Sequence, residues 1–391
     1  MKTLITGVST RAIAESAVKS AHDVFTIDYF GDHDQKQVVG NFSLLRDFNL
    51  PFRAENLIKA SDQFEFDSVV YISNFENFPE LIKKLSARAE ILGNTPDTLR
   101  KVRDWKVLRK FMTENHILFP ETLLPSEEER VTDKRGWLLK PTNSGGGSRI
   151  KVWEGEELST NQIIQRYIEG TPASACFIGD GCKSVLIGLS TQLIGLDELG
   201  ATDFTWCGNI LPLPFDEKES HYIIDQMKNI TSLITGHFNL KGACGIDFVI
   251  KRDKKGRLTP YILEINPRYT ASMELVENFY GLNIYSIHIN SLHGKLPDFT
   301  LKDKHNTRFS AKGILFARND IKIKETANWK RRGIRDIPFE GDMIQKGHPV
   351  CTILVDGSGY NECRSNLFAI AERIRLETGD LQTDTGIRKA T

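Results

Sequence analysis

"YILEINPRYT", residues 261–270, sets Glu264, Asn266 and Arg268 at alternate positions of a stretch that otherwise reads as an apolar strand. Alternate residues of a strand share one face, so these three polar groups are gathered together. Upstream, "CGIDFVI" (244–250) reads as a partner strand, and the charged, glycine-containing "KRDKKGRLT" (251–259) between them reads as an exposed hairpin loop. A loop centred on Lys255 and Gly256 sets Ile250 opposite Tyr261, Phe248 opposite Leu263 and Asp247 opposite Glu264. Two carboxylates opposed on an apolar sheet repel and lose solvation, which is destabilising unless a cation lies between them. The available donors, Asp247, Glu264 and the amide oxygen of Asn266, are all oxygens and suit magnesium or manganese better than zinc. Magnesium held by so few carboxylates completes its shell with water and nucleotide phosphates, so the pair points to a phosphate-bearing ligand. A loop off-centre by one residue would instead send the two carboxylates to opposite faces. Arg268 can clamp an anionic oxygen through its forked guanidinium, and equally suits a surface ion pair.

"WLLKPTNSGGGSRI" (137–150) is the second signal. A strand bearing Lys140 runs into Ser144, Gly145, Gly146, Gly147 and Ser148, a loop able to wrap backbone N–H groups around phosphate oxygens beside a fixed cation. It is not a Walker A loop, whose lysine follows the glycines, and the glycines alone also suit a flexible hairpin linker. "IIQRYIEGTP" (163–172) then reads as an apolar strand and turn carrying Gln165, Arg166 and Ile168.

Taken in this order, the Lys140 glycine loop, "QRYIEG" and "GIDFVI…YILEINPR" closely resemble the ATP-grasp superfamily over roughly residues 95–295. The resemblance implies ATP held between two α+β subdomains. Lys140 would meet the α- and β-phosphates together with Lys106 of "DWKVLRKF", and loop 144–148 would close over them. Gln165 and the backbone of Arg166 and Ile168 would meet the adenine, with a neutral Gln165 where the family usually has glutamate. Asp247, Glu264 and Asn266 would hold Mg²⁺ (or Mn²⁺), and Arg268 would stabilise the transferring phosphate. Pro172 and Ala173 stand where an acidic ribose ligand often sits, so the ribose contact is unassigned. The family chemistry implied is an ADP-forming, ATP-dependent ligase that activates a small-molecule carboxylate as an acyl phosphate for attack by an amine, as in cofactor biosynthesis. A carboligase using bicarbonate, a kinase that stops at a phosphorylated product, and a non-catalytic ATP sensor are the competing readings.

The rest of the chain fits an α/β and α+β protein of several lobes. Residues 2–6, 24–28 and 68–73 read as strands and 11–21 as a helix, a doubly wound unit (1–94) similar to the pre-ATP-grasp domain. Its strand ends form a crevice where Ser9, Arg11, Asp28 or Asn74 could touch a small substrate. "TPDTLRKVRDWKVLRKFMTENH" (95–116) reads as helical and opens the ATP-grasp domain (95–300, lid at about 134–195). A turn-rich passage around 298–308 marks the next boundary. The mostly β lobe 301–391, closing on a helix at 361–376, resembles that of the biotin-carboxylase and purine-carboxylase branch, without a biotinyl-lysine context.

Lysine plus arginine, 51, equals aspartate plus glutamate, 51, over 391 residues, so the overall balance suggests no nucleic-acid or anionic-membrane partner and leaves room for a local basic pocket. No apolar run suits a signal peptide or a membrane span, so a cytoplasmic protein is expected, acting on small-molecule carboxylate and amine substrates, with a homodimer left open. The six cysteines lack CxxC spacing and read as reduced thiols. His288 and His293 read as surface or capping residues, and Trp329 with "KRRGIRD" as a solvated loop or a basic rim.

Overall fold

The computed structural model describes residues 1–301 and 308–381; residues 302–307 of the boundary expected at 298–308 lie outside them. The N-terminal unit is a five-stranded parallel sheet in the order Gly40–Ser43, Val24–Asp28, Thr3–Thr6, Ser68–Tyr71, Glu90–Ile91. Its three central strands are buried along their whole length, as continuous apolar runs in a parallel sheet require, and helices Arg11–Lys19, Ala54–Ser61 and Pro79–Ser86 supply its cover. The edge strands Gly40–Ser43 and Glu90–Ile91 escape sequence reading because they are short and partly exposed.

The single helix expected over 95–116 is two, Pro96–Arg103 and Trp105–Glu114. Asp104 ends the first in extended geometry and caps the second, its carboxylate accepting from the N–H groups of Lys106 and Val107. The break leaves Arg103 as the last residue of the first helix.

A four-stranded and an eight-stranded antiparallel sheet follow, with a two-stranded ribbon of Ile321–Lys322 and Met343–Ile344 in the C-terminal part. The four-stranded sheet runs Thr122–Leu123, Gln162–Arg166, Trp137–Pro141, Lys151–Val152. The larger has eight strands in the order Leu258–Asn266, Lys241–Arg252, Thr171–Asp180, Ser184–Ile194, Trp206–Leu211, Phe309–Phe316, Pro349–Gly357, Ile334–Arg335. Strands Thr171–Asp180 and Ser184–Ile194, grouped with the lid in the sequence reading, therefore belong to the large sheet. Their long apolar faces are needed against helix Glu217–Phe238. The C-terminal strands likewise continue that sheet, Phe309–Phe316 pairing with Trp206–Leu211. Helix Tyr360–Thr378 covers them through Cys363, Leu367, Ala371 and Ile374. No helix among the described residues is long and apolar enough to cross a membrane.

Two peripheral expectations are corrected. Trp329 is buried in the C-terminal core, its indole N–H donating to Glu377 at 3.2 Å, so it is neither rim nor solvated loop. His288 is also buried: Nδ1 accepts from Ala243 N–H at 2.9 Å and Nε2 lies 3.0 Å from the Leu92 carbonyl.

Candidate active site

The hairpin pairs Arg252 with Leu258 through Phe248 with Ile262, so its loop is centred on Lys255, half a step from expectation. Continued unbroken, that register would set Asp247 against Leu263. Leu263 is instead a β-bulge without a partner, and Asp247 pairs with Glu264 and Gly245 with Asn266. The expected facing carboxylates are present, while the expected pairs Ile250 with Tyr261 and Phe248 with Leu263 are not.

Three sets of side-chain contacts surround this pair. Asp247 accepts from Gln192 Nε2 at 2.8 Å through Oδ1 and from Asn266 Nδ2 at 2.9 Å through Oδ2. Glu264 Oε1 accepts from Arg103 Nη1 at 3.0 Å, and Arg103 Nη2 donates to the Thr142 carbonyl at 2.9 Å. Arg268 is ion-paired with buried Glu76 of the N-terminal unit at 2.7 Å and lies 3.3 Å from Asn266 Oδ1. Across the cleft, Lys140 donates to Gln165 Oε1 at 2.9 Å, and Gln165 Nε2 donates to Thr122 at 3.0 Å.

Burial, then the neighbouring Glu264, pushes the Asp247 carboxyl up to about 7, against the pull of Asn266, Arg268 and Lys140. Burial also lowers the Lys140 ammonium, which Glu264 and Asp247 oppose. Negative charge is thus undercompensated at the pair, and an oxygen-ligated divalent cation fits this donor set. Among the described residues no three His, Cys, Asp or Glu side chains converge as a complete metal site. Two carboxylates and an amide leave coordination positions for phosphate oxygens.

The glycine loop docks on the start of strand Trp206–Leu211 and the residues just before it, where the Trp206 N–H donates to the Gly146 carbonyl at 3.0 Å. Gly147 has φ +73°, and a Cβ there would lie 1.8 Å from the Phe204 carbonyl oxygen, so glycine is required for the approach. Gly145 faces open space. Ser144 and Ser148 flank the loop, the latter's N–H donating to the Gly145 carbonyl at 3.2 Å.

Lys140, Gln165, Asp247, Glu264, Asn266 and Arg268 are therefore brought together. Lys106 is not: it projects to solvent from the first turn of its helix, and Arg103, just before the Asp104 break, reaches the carboxylates instead. The Arg166 N–H is committed to the Glu121 carbonyl at 2.8 Å, so that group is not available to a base edge. Ile168 follows in the half-buried exit from the strand. Arg103, Gln192 and Glu76 escaped the sequence reading, because each meets its partner only through tertiary structure.

Residues 103–272 match the family described as an ATP-grasp domain. An uncharacterised protein of Methanocaldococcus jannaschii is 25% identical, the match covering 93% of this chain and 92% of that one. The carbamoyl phosphate synthase large chain of Rhodopirellula baltica is 23% identical over 66% of this chain, which spans 24% of that longer protein. Among solved structures, Campylobacter jejuni biotin carboxylase in an ATP complex superposes with TM-score 0.69 at 13% identity, over 93% of this chain and 89% of that one. The L-amino acid ligase of Bacillus licheniformis gives TM-score 0.64 at 15% identity, over 95% and 97%. At such identity these superpositions speak to the fold. The carboxylate hairpin and the glycine loop both lie inside the matched residues, so segment 103–272 is similar to the ATP-grasp domain family in sequence, and the superpositions agree with that fold.

Proposed function

We propose that the chain is an ATP-dependent, ADP-forming ligase that joins a small-molecule carboxylate to an amine. The observation that carries this reading is the facing Asp247–Glu264 pair, set on one sheet face with Asn266 and Arg268 and opposed by Lys140. Asp247, Glu264 and Asn266 would hold Mg²⁺ or Mn²⁺, which supplies charge neutralisation on the phosphates. Lys140 orients the α- and β-phosphates, and loop 144–148 covers them and excludes water from a hydrolysable intermediate. Gln165 and the backbone at Arg166 and Ile168 border the base, with Arg166 contributing its carbonyl side. Arg103 takes the place expected for Lys106 as the second cation at the phosphates.

A carboxylate oxygen attacks the γ-phosphorus, and a C–O–P bond forms as the P–O bond to ADP breaks. Arg268 stabilises the charge on the transferring group. The amine nitrogen then attacks the acyl carbon, the C–O bond to phosphate breaks, inorganic phosphate leaves, and the nitrogen loses a proton. The name of the L-amino acid ligase neighbour is consistent with this chemistry. Bicarbonate as the phosphoryl acceptor, giving carboxyphosphate as ADP leaves, is a second reading, in keeping with the neighbouring biotin carboxylase domain solved with MgADP and bicarbonate.

The test is ADP release with Mg²⁺ and pools of amino acids and cofactor precursors, with bicarbonate alone as the parallel arm. Release that needs an amino compound and disappears in Glu264→Ala supports the ligase. Release with bicarbonate alone chooses the carboxylase, and ATP binding without turnover in any pool overturns both.

A further inference from the structure

A cavity of about 860 Å³ opens between the N-terminal unit and the C-terminal part of the large sheet. In the parallel sheet, Thr3–Thr6 lies beside both Val24–Asp28 and Ser68–Tyr71, and chain direction across the sheet reverses there. Ser9 and Ser73, just beyond the carboxyl ends of strands Thr3–Thr6 and Ser68–Tyr71, line the cavity, the usual place for a ligand in a doubly wound sheet. Two links join it to the candidate active site. Tyr269 of its wall follows Arg268, and Trp206 of its wall bonds through its N–H to the glycine loop.

The charge behind the wall is unbalanced. Fully buried Arg11 pairs with Glu274 at 2.7 Å, Asp336 at 2.7 Å and Glu15 at 3.2 Å, and lies 3.9 Å from Asp34. Lys312 pairs with the same Glu274 at 2.6 Å. Asp32 adds a further carboxylate, 8% exposed, whose Oδ2 is buried without a hydrogen-bond partner. The hydroxyl of Tyr269, 6% exposed, is also unpartnered, and both residues line the cavity. An orphaned buried acceptor is costly unless a ligand supplies the missing donor. The cations of the wall are each committed to a carboxylate, Arg11 to Asp336, Arg46 to Asp342 and Lys312 to Glu274, and Tyr29, Phe30, Trp206 and Ile314 supply apolar and aromatic surface beside them. Among the described residues no three acidic, His or Cys side chains converge on one metal position, which favours an organic cation over a metal ion.

We propose that this cavity binds the amine substrate as a small molecule with a protonated amino group on an apolar or aromatic body, the ammonium meeting Asp32 and the body lying on the Tyr29, Phe30 and Trp206 side. The assignment rests on the ligase reading, which consumes an amine, and adds the chemical class and seat of that amine. Burial, then the charges of Asp336, Asp28 and Asp34, raises the Asp32 carboxyl well above its ordinary range, against the pull of Arg11. An ammonium alongside reverses that bias and restores the carboxylate.

The experiment is calorimetric titration of nucleotide-free protein with phenethylamine, its neutral analogue 2-phenylethanol and its anionic analogue 3-phenylpropionate. The amine is expected to bind at least about tenfold more tightly than the alcohol, the difference a charge-assisted hydrogen bond makes, with no binding of the acid. Asp32→Asn should remove that preference. Leu45→Lys, at a half-exposed position of the rim, should weaken the amine without touching the buried cluster. No response to the amine, equal binding of the alcohol or the acid, or unchanged titration in both variants overturns the assignment. Because no nucleotide is present, a failed ADP-release assay leaves this result standing. Conversely, amine-dependent ADP release with a silent titration removes the cavity assignment and leaves the ligase.

Discussion

Arg103 Nη1 stands 3.0 Å from Glu264 Oε1, joining the last residue of one helix to the carboxylate hairpin across 161 positions of sequence. Both side chains are largely buried, 16% and 28% exposed, so the contact works in a medium where charges matter. Arg103→Met removes the cation while keeping much of the bulk, leaving Glu264 to face Asp247 with less compensation. Nucleotide-free protein should melt a few degrees lower, and the affinity for a Mg²⁺-bound, non-hydrolysable ATP analogue should fall about tenfold, the scale of one charge-assisted contact. Calorimetric titration of both proteins checks this; unchanged affinity would make Arg103 a structural brace only.

Asp247→Asn should separate stability from ligand response. The substitution preserves shape and abolishes the repulsion between two opposed carboxylates, but turns an amide NH2 toward one of the donors Gln192 Nε2 and Asn266 Nδ2. Differential scanning calorimetry without nucleotide should therefore show a small shift, roughly 2–4 °C for each kcal/mol left between these opposing effects. Addition of Mg²⁺ and ATP should stabilise the wild type and leave the variant nearly unmoved. A variant that still gains stability from Mg²⁺ and nucleotide together would contradict the ligand assignment.

How much of this site could be read in advance follows from the range of each contact. Asp247 and Glu264 were legible because a charged hairpin loop fixes register locally, although the expected loop centre was half a residue off and the Leu263 bulge supplied the correction. A bulge depends on packing of both sheet faces, and nothing in "YILEIN" announces it. The doubly wound unit was legible from its buried apolar strands, whereas its edge strands were too short and too exposed to show a period. Lys106 is exposed and Arg103 reaches Glu264 because the Asp104 cap splits the expected helix in two, so the two side chains do not share one helical phase. His288 and Trp329 look polar or peripheral in sequence, and only the fold shows the carbonyl, amide and carboxylate that satisfy them.

The glycines of loop 144–148 separate by position. Gly147→Ala meets the Phe204 carbonyl at 1.8 Å and holds an L-residue at φ +73°, for which the backbone alone costs about 1–2 kcal/mol. The loop should then lift from the 203–206 segment, lowering kcat/KM for ATP at least about tenfold while the global melting temperature changes little. Gly145→Ala, with nothing within 4 Å of the added Cβ, should stay within about twofold of wild type. Steady-state kinetics on the two variants decides the matter, and equal losses would mean that docking on Phe204 is irrelevant to turnover.

His288 should make stability fall as the solution is acidified. Its ring is buried against Gly242, whose φ of +78° leaves no room for a Cβ beside Nδ1, and it bridges the Ala243 amide to the Leu92 carbonyl. Accepting from an N–H at Nδ1 requires the neutral imidazole protonated at Nε2. Burial lowers its pKa from the ordinary 6.5 to about 4 in the folded chain, only partly offset by the Leu92 carbonyl. Between these values the unfolded chain binds the extra proton, so the contribution is complete above about pH 6.5 and is lost as pH falls toward 4, for a total of about 3 kcal/mol. His288→Gln retains an acceptor and a donor without titrating. Urea unfolding from pH 7.5 to 4.5 should show a shallower fall in stability for the variant than for wild type, and parallel curves would mean that the acid sensitivity lies in other groups.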